Sequence, residues 1–317
     1  MRGRRLVSVV IVVGIVLCSL TIEPVSAGDK KAIRFGALPV LQALPLYVAR
    51  DKGFWRDAGL NVEIVPFNTA ADKDIALSAG SIEGCFADLV TPLVLKGNGR
   101  DIVIVATNYE TRQDRRMFGI LGKPGSTFQS IADLADVPVA ISSNSVIDYV
   151  TERLLRSGGV PADRVASIES KNIGLRFLML LSGQVEAATL PEPLVSAALM
   201  KGAVLLGDDS GLATSQTVLV FSGPFTRDHP KAVTAFLRGV EEANAFINSQ
   251  ADMVRSVMAE YVRLPAALRD TYPIPRFPEL HAPDRDALLT VAEWLRKRGV
   301  IRPQLTYEEV VNAGFIP

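Results

Sequence analysis

Short apolar runs along the chain alternate with polar loops and with stretches whose apolar residues recur at helical spacing. The first such series predicts a strand at 33–39, a helix at 43–59, a strand at 61–67, a helix at 68–80 and a strand at 81–88. Apolar runs between turn signals are typical of buried strands, and apolar residues three and four apart are typical of amphipathic helices. This series is therefore a βαβαβ unit.

The same series begins a second time at Val137. Its predicted parts are a strand at 137–141, a polar loop at 142–145, a helix that ends at Gly158, a strand at 164–169, a helix at 171–183 and a strand at 184–190. The two copies also share a similar tail, "LSAGSIE" at 77–83 and "LSGQVE" at 181–186, which differ by one inserted residue. The chain therefore contains a duplicated unit.

Two βαβαβ units predict an α/β fold with two lobes, because each crossover between parallel strands places a helix on a face of its sheet. Further strands are predicted at 101–110, 118–122 and 217–223, and residues 224–317 are mainly helical. The simplest assembly has a discontinuous first lobe, 29–108 plus 224–317, and a second lobe, 109–223. Each lobe has a mainly parallel sheet, and two chain crossings, near 108–110 and 222–224, form a hinge.

The loop at 142–145 is a candidate ligand site. Ligands of open parallel sheets bind beyond the carboxyl ends of the strands. This loop lies at such an end and also at a helix N-terminus, where N–H groups and the helix dipole favour an anion or another acceptor. The alternative is that its serines only cap the helix. The candidate residues in this loop are Ser142, Ser143, Asn144 and Ser145. The corresponding positions of the first lobe are Leu41, Gln42 and Ala43, and further candidates there are Asn68 and Thr69, which begin another helix, and Asp88, which ends a strand.

The first 27 residues have the layout of a secretory signal peptide. Arg2, Arg4 and Arg5 precede an apolar run at 6–20, which is short for a membrane span, and small residues at 25–27 offer a cleavage site. Two alternatives are a retained membrane anchor and a lipid anchor on Cys18, although the residues before Cys18 form a poor lipobox.

Charge and cysteine content narrow the class of protein. Basic and acidic residues number 34 each, and residues 1–27 hold three arginines and one glutamate, so the remaining chain carries a formal charge near −2. Such a chain has no basic footprint for nucleic acid. Of the two cysteines, Cys85 alone follows residue 27, so no intrachain disulfide is expected. Its apolar neighbours predict a buried packing role.

Four stretches resemble the NMT1/THI5-like group of solute-binding proteins from bacterial ABC importers, which includes binders of nitrate, taurine, alkanesulfonates and thiamine precursors. They are "LPLYVARDKGFWRDAGLNVEIV" at 44–65, "LSAGSIEGCFAD" at 77–88, "LSGQVEAATLPEPL" at 181–194 and "LRKRGVIRPQLTYEEVVNAGFIP" at 295–317. The resemblance implies a type II periplasmic-binding-protein fold that closes around a ligand. It also implies contacts from the candidate residues above, from Glu192 in the turn after Pro191, and from Tyr109 at a crossing. Tyr109 has hinge packing as its alternative role.

Two functions remain open. The first is a monomeric, periplasmic receptor that binds a small solute and works with an ABC permease, without a cofactor or metal. The second is a small-metabolite enzyme on the same fold, similar to pyrimidine synthases, with Asp88 or Glu192 as acid or base. The cysteine-rich motif and catalytic histidine of those synthases have no counterpart here, since His229 and His281 lie in proline-flanked segments typical of surface loops. The receptor is the favoured hypothesis.

The ligand itself is not decided by the residues. Carboxylates such as Asp88 suit a ligand with N–H donors, whereas serines at a helix start suit a sulfonate or carboxylate. Most basic residues near the candidate cleft are expected to face water; these are Arg112, Arg115, Arg116, Lys171 and Arg176.

We predict that residues 1–27 are removed on export, because the basic start, the short apolar run and the small residues at 25–27 together specify cleavage. N-terminal sequencing of the exported protein should begin at Gly28. Retention of Met1 would contradict the prediction, and a lipidated Cys18 at the terminus would instead support the lipoprotein alternative.

Overall fold

The computed structural model describes residues 32–113, 115–212, 215–262 and 264–317. The predicted signal peptide, with Cys18, lies outside these described residues. Within them, no helix is both long enough and apolar enough to cross a membrane.

The described chain contains two five-stranded sheets covered by helices. The strands are β1 (Ile33–Ala37), β2 (Val62–Pro66), β3 (Gly84–Asp88), β4 (Ile102–Glu110), β5 (Phe118–Gly122), β6 (Val139–Ile141), β7 (Ser167–Glu169), β8 (Ala187–Pro191), β9 (Val204–Asp208) and β10 (Gln216–Ser222). The helices are α1 (Leu44–Lys52), α2 (Phe54–Asp57), α3 (Ala70–Ser78), α4 (Val90–Gly97), α5 (Val146–Ser157), α6 (Ile173–Leu181), α7 (Leu194–Met200), α8 (Gly223–Asp228), α9 (Pro230–Ser249), α10 (Arg255–Tyr261), α11 (Arg285–Lys297) and α12 (Tyr307–Val310).

The two sheets have the same topology. Their strand orders are β2-β1-β3-β10-β4 and β7-β6-β8-β5-β9. In each sheet four strands are parallel and one, β10 or β5, is antiparallel to both of its neighbours. The predicted α/β fold with two mainly parallel sheets is thereby confirmed.

The strand predicted at 217–223 does not belong to the second lobe. As β10 it pairs in the first sheet, with Val218 opposite Ala87 of β3 and Val220 opposite Ile104 of β4. A short apolar run indicates burial in a sheet without indicating which sheet. The second crossing therefore lies between β9 and β10 and not near 222–224, and β10 is part of the first lobe.

The helix predicted at 43–59 is divided at Gly53. This glycine has a φ of +81° and ends α1, and α2 follows directly. A left-handed residue at a helix C-terminus is most easily a glycine, because it has no Cβ to clash with the preceding turn.

The C-terminal helices complete the first lobe. Helix α9 packs on α1 and α2, and the indole Nε1 of Trp55 donates a hydrogen bond to the carbonyl of Phe236 at 2.9 Å. The Phe236 ring also contacts the rings of Phe35 and Phe221 in the sheet. This aromatic cluster packs α9 against the first strand and the first helices of the lobe.

The two chain crossings are joined by the buried carboxylate of Asp209, which follows β9 in the second crossing. It accepts the N–H groups of Met117 and Phe118 at 2.8 and 2.9 Å and the hydroxyl of Thr111 at 2.7 Å, all in the segment of the first crossing. Burial raises the pKa of Asp209, although these donors oppose the change. The two crossings are therefore held together as one hinge.

We predict that Asp209→Ala lowers the free energy of unfolding by about 3 kcal/mol or more, because it leaves three buried donors without their acceptor. Asp208→Ala is the matched control. The neighbouring Asp208 is half-buried and caps a short turn through the Ser210 N–H, so its loss should cost about 1 kcal/mol. Chemical denaturation of both variants measures the difference, and equal losses would contradict the role of Asp209.

Candidate functional site

A cavity of about 60 Å³ lies between the two lobes. It is bounded by the carboxyl ends of parallel strands and by the amino ends of the antiparallel strands, which meet at the same edges of the two sheets. The polar lining residues are Gln42, Lys73, Asp88, Gln216 and Thr217 from the first lobe and Ser142, Ser145, Lys171 and Arg176 from the second. Most of the remaining lining residues are apolar, including Val40, Phe86, Phe118, Ile147 and Ile173.

Arg176 is a fully buried cation in this cavity, with 0% of its surface exposed. Its Nη1 donates to the carbonyl of Ser170 at 2.7 Å, but its Nε and Nη2 have no hydrogen-bond partner in the structure. Burial lowers the pKa of Arg176 to about 10, although Glu169 opposes the change. The guanidinium is therefore still protonated at neutral pH and presents two donor nitrogens without a partner among the described residues.

Lys73 is the second buried cation of the cavity, with 1% exposure. Its ammonium group donates to the Asp74 carboxylate at 2.5 Å and lies 3.5 Å from the Cys85 sulfur. Burial by itself would lower the pKa of Lys73, but the interactions with Cys85 and Asp74 outweigh it, so the pKa is raised. Unlike Arg176, this cation has a counterion from its own lobe.

The two cations occupy equivalent positions in the duplicated units. Thr69 caps α3 and Asn172 caps α6, each by accepting the N–H of the residue three positions later. Lys73 and Arg176 are each four residues after the capping residue. This correspondence brings one buried cation from each lobe to the cavity.

Asp88 lines the cavity and also caps α4. Its Oδ1 accepts the N–H groups of Val90 and Thr91 at 2.7 and 3.1 Å. Burial raises the pKa of Asp88, and the Thr91 N–H and the Lys73 charge oppose that change. One carboxylate oxygen of Asp88 therefore already accepts two hydrogen bonds from the backbone.

Some residues of the loop at 142–145 line the cavity, and others make hydrogen bonds within the second lobe. Ser142 and Ser145 line the cavity, and the Ser145 hydroxyl caps α5 by accepting the Ile147 N–H at 3.2 Å. The Ser143 N–H and hydroxyl both donate to Glu169, and the Asn144 N–H donates to Asp148 at 2.9 Å. Because three N–H groups of this region already have acceptors, Arg176 is the better-placed donor for an anion.

Several candidate residues lie outside the cavity lining. Leu41 and Ala43 are buried in the core of the first lobe, Asn68 is exposed and the Thr69 hydroxyl caps α3. Tyr109 is buried with its ring 5.2 Å from that of Phe277, which agrees with the hinge-packing alternative. Of the candidates, the structure brings together Gln42, Asp88, Ser142 and Ser145.

Glu192 is buried in a polar network beside the hinge. Its carboxylate accepts hydrogen bonds from Arg116 Nε at 2.7 Å, from the Ser196 hydroxyl at 3.0 Å and from the Tyr272 hydroxyl at 3.0 Å. Tyr272 follows α10 in the first lobe, so this carboxylate joins the two lobes. A fully paired carboxylate of this kind is suited to positioning rather than to proton transfer.

The sequence by itself does not identify Lys73 as a candidate. It places Arg176 only in a group of basic residues, most of which are expected to face water. The structure instead buries Arg176, whereas Arg112 and Lys171 are exposed as expected. The signal that identifies both cations is their equal distance from the capping residue in the two copies. Local hydropathy cannot identify them, because a basic side chain in an amphipathic helix usually points to water.

Metal binding and thiol nucleophilicity are two other chemistries that a buried site of this kind could carry. No group of three or more histidine, cysteine, aspartate or glutamate side chains among the described residues could hold a metal ion. Burial raises the pKa of Cys85 to about 11 although Lys73 opposes it, so the thiol is neutral at physiological pH and is not an activated nucleophile.

The sequence of the chain matches a known protein family. The family model described as "NMT1/THI5 like" matches residues 41–252. A putative aliphatic sulfonates-binding protein of Escherichia coli K12 is 26% identical over 209 residues, which cover 62% of this chain and 61% of that protein. The chain therefore spans less than two thirds of that relative's length.

Solved structures share the fold over nearly the whole described chain. The alkanesulfonate-binding protein from Xanthomonas axonopodis pv. citri, bound to MOPS, superposes with a TM-score of 0.77 at 19% identity, covering 89% of this chain and 98% of that one. The periplasmic nitrate-binding protein from Synechocystis PCC 6803 gives a TM-score of 0.72 at 17% identity, with 90% and 86% covered. The predicted two-lobed periplasmic-binding-protein fold is thereby confirmed.

We predict that Arg176→Met raises the free energy of unfolding of the ligand-free protein by about 1 kcal/mol or more, because a buried charge with unpaired donors is replaced by an apolar side chain of similar length. Lys171→Met, at the exposed edge of the same cavity, should change it by less than about 0.5 kcal/mol. Denaturant melts without added anions measure both variants. A clear loss of stability in Arg176→Met would show that the guanidinium is satisfied within the fold.

Proposed function

The chain belongs to the NMT1/THI5-like family, and on that premise we propose that it is the solute-binding component of an ABC-type importer. In this function it binds a small organic oxyanion, with a sulfonate as the favoured class, outside the cytoplasmic membrane and delivers it to a membrane permease. The predicted signal peptide and the sulfonate-binding relative support this proposal.

The observation that carries the proposal is the pair of unpaired guanidinium nitrogens, Nε and Nη2 of Arg176, buried at the cavity. These two donors lie on one side of a planar fork, which matches two oxygens of a carboxylate, sulfonate or similar anion. A buried unpaired charge is costly unless a ligand supplies its counterion. Ligand binding would remove this cost.

The rest of the lining supports an organic anion over a small inorganic one. Phe86, Phe118 and Ile173 provide apolar surface around the site. That surface has no favourable contact with nitrate, but it can pack against the carbon chain of a sulfonate. Gln42, Ser142 and the amide nitrogen of Gln216 remain as polar groups that can orient the ligand, since the Gln216 Oε1 already accepts the Asp284 N–H at 3.2 Å.

Binding in this proposal proceeds by closure of the two lobes. Lys73 approaches the cavity from the first lobe and Arg176 from the second, so an anion between them attracts both lobes at once. The hinge at Asp209 requires only a few backbone angles to change during such closure. Lys73 retains Asp74 as its counterion, which favours a ligand with a single negative charge.

The enzyme alternative is less well supported. Its two proposed acid–base residues have structural contacts, since Asp88 caps α4 and Glu192 is paired with Arg116 and Tyr272. Relatives named as binding proteins for aliphatic sulfonates and for bicarbonate also favour the receptor.

We predict that the protein binds ethanesulfonate more tightly than nitrate or bicarbonate, and that Arg176→Met weakens ethanesulfonate binding by about 100-fold, because loss of a buried charge pair typically costs about 2–5 kcal/mol. Lys171→Met should weaken it by less than about fivefold, since an exposed charge contributes under about 1 kcal/mol. Isothermal titration calorimetry measures each Kd, and chromatography of the recovered ligand tests for turnover.

The outcomes separate the parts of the proposal. Preferential binding of nitrate or bicarbonate that still requires Arg176 would retain the anion receptor and overturn the organic class. Equal affinity in the parent and Arg176→Met would overturn Arg176 as the anchor. Chemical conversion of the ligand would favour the enzyme.

A further inference from the structure

A second contact between the lobes involves α5, the helix whose first turn lines the cavity. The first turn of α5 contributes Val146 and Ile147 to the cavity lining. On the same helix, Asp148, Tyr149 and Glu152 contact the C-terminal end of α11. Helix α11 belongs to the first lobe, where it packs on α4.

Arg298, the residue that follows α11, forms the centre of this contact. Its Nη2 donates to Asp148 at 3.0 Å and its Nη1 donates to Glu152 at 2.8 Å. The indole Nε1 of Trp294 donates to the same Glu152 oxygen at 2.9 Å. The Arg298 guanidinium also lies 4.8 Å from the centre of the Trp294 ring, and that ring makes an edge contact with Tyr149 at 5.2 Å.

Asp148 connects this contact to the ligand loop. Its Oδ2 accepts both the Arg298 Nη2 donor and the Asn144 N–H, the latter at 2.9 Å. The loop that holds Ser142 and Ser145 is therefore connected to Arg298 of the first lobe through a single intervening residue, Asp148. Burial raises the pKa of Asp148, the Asn144 N–H and Arg298 oppose that change, and the negative charges of Glu152 and Glu169 reinforce it.

We infer that Arg298 is a positioning residue for the ligand site: it latches α5 and the 142–145 loop to the first lobe, and so sets the fraction of ligand-free protein that is closed. The guanidinium is on one lobe and both carboxylates are on the other, so separation of the lobes must stretch or break these bonds. Without Arg298, the two carboxylates face each other with no cation between them.

The latch would change ligand affinity without contacting the ligand. When only the closed state holds the ligand fully, the observed Kd is the intrinsic Kd divided by the closed fraction. Loss of the latch reduces that fraction. The consequence for affinity rests on the proposed function, whereas the consequence for the shape of the free protein does not.

The test compares Arg298→Ala with Arg296→Ala, a matched control that removes an arginine from the same helix end. Arg296 pairs with Glu293 on its own helix, so its loss should leave the lobes unaffected. Arg298→Lys retains the charge but cannot donate to both carboxylates in the same geometry. Trp294→Phe keeps an aromatic ring beside Tyr149 and Arg298 and removes the hydrogen bond to Glu152.

Small-angle X-ray scattering of the ligand-free proteins should give a larger radius of gyration for Arg298→Ala than for the parent and Arg296→Ala. Arg298→Lys and Trp294→Phe should lie between them. Stopped-flow and calorimetric titration with ethanesulfonate should show binding about tenfold weaker in Arg298→Ala, mainly through faster dissociation.

An unchanged radius in Arg298→Ala would overturn the latch, including when its melting midpoint is lower, since that combination indicates a purely structural contact. If Arg298→Ala does not fold, Trp294→Phe and Arg298→Lys decide by the same measurement. Failure of ethanesulfonate to bind the parent would count against the proposed ligand class only, because the scattering comparison contains no ligand.

Discussion

The cavity between the two lobes depends on the buried carboxylate of Asp209. The cavity is lined by residues from both lobes, so its shape exists only if the two chain crossings keep a defined relation to each other. Asp209 provides that relation by accepting three hydrogen bonds from the first crossing while it belongs to the second. Hydrogen bonds to a buried carboxyl group are stronger than the same bonds in water, because the protein interior has a low dielectric constant. The hinge is thus well defined at its pivot.

The duplicated lobes are equal in topology and unequal in charge. Each places a buried cation at the same position of the same helix, but Lys73 has the Asp74 carboxylate as a partner and Arg176 has no carboxylate among its hydrogen-bond partners. The residue after Arg176, which corresponds to Asp74, is Phe177. One lobe therefore pairs its buried cation with a carboxylate, while the buried cation of the other lobe has, among the described residues, only the Ser170 carbonyl as a hydrogen-bond partner. Sites that bind substrate commonly retain such a local cost, which a purely structural core would eliminate.

Several features of the fold and of the site were accessible from the sequence. Alternation of apolar runs and helical stripes repeats at 33–88 and at 137–190, and parallel βαβαβ units allow few arrangements other than two α/β lobes. The helix starts near Thr69 and Asn172 were accessible as well, because a polar capping residue before an apolar stripe favours a helix start, whereas the division of the predicted first helix at Gly53 was not. Gln42, Asp88, Ser142 and Ser145 were accessible for the same reason, since they follow strands whose carboxyl ends form the edge where ligands bind.

Tertiary structure alone decided which sheet received β10 and which side chains line the cavity. The apolar run at 216–222 is equally suited to either sheet, and only its pairing with β3 and β4 fixes the position of the second crossing. Similarly, the sequence places Glu192 and Tyr109 among the candidate ligand-binding residues. In the structure, Glu192 instead accepts a hydrogen bond from Tyr272 and the Tyr109 ring packs against Phe277, so both residues have structural contacts with distant parts of the chain. The sequence by itself determined the repeated units, because their signals are local periodicities. Burial of Arg176 and the pairing of Glu192 depend on residues far apart in the chain, and such contacts have no local signal.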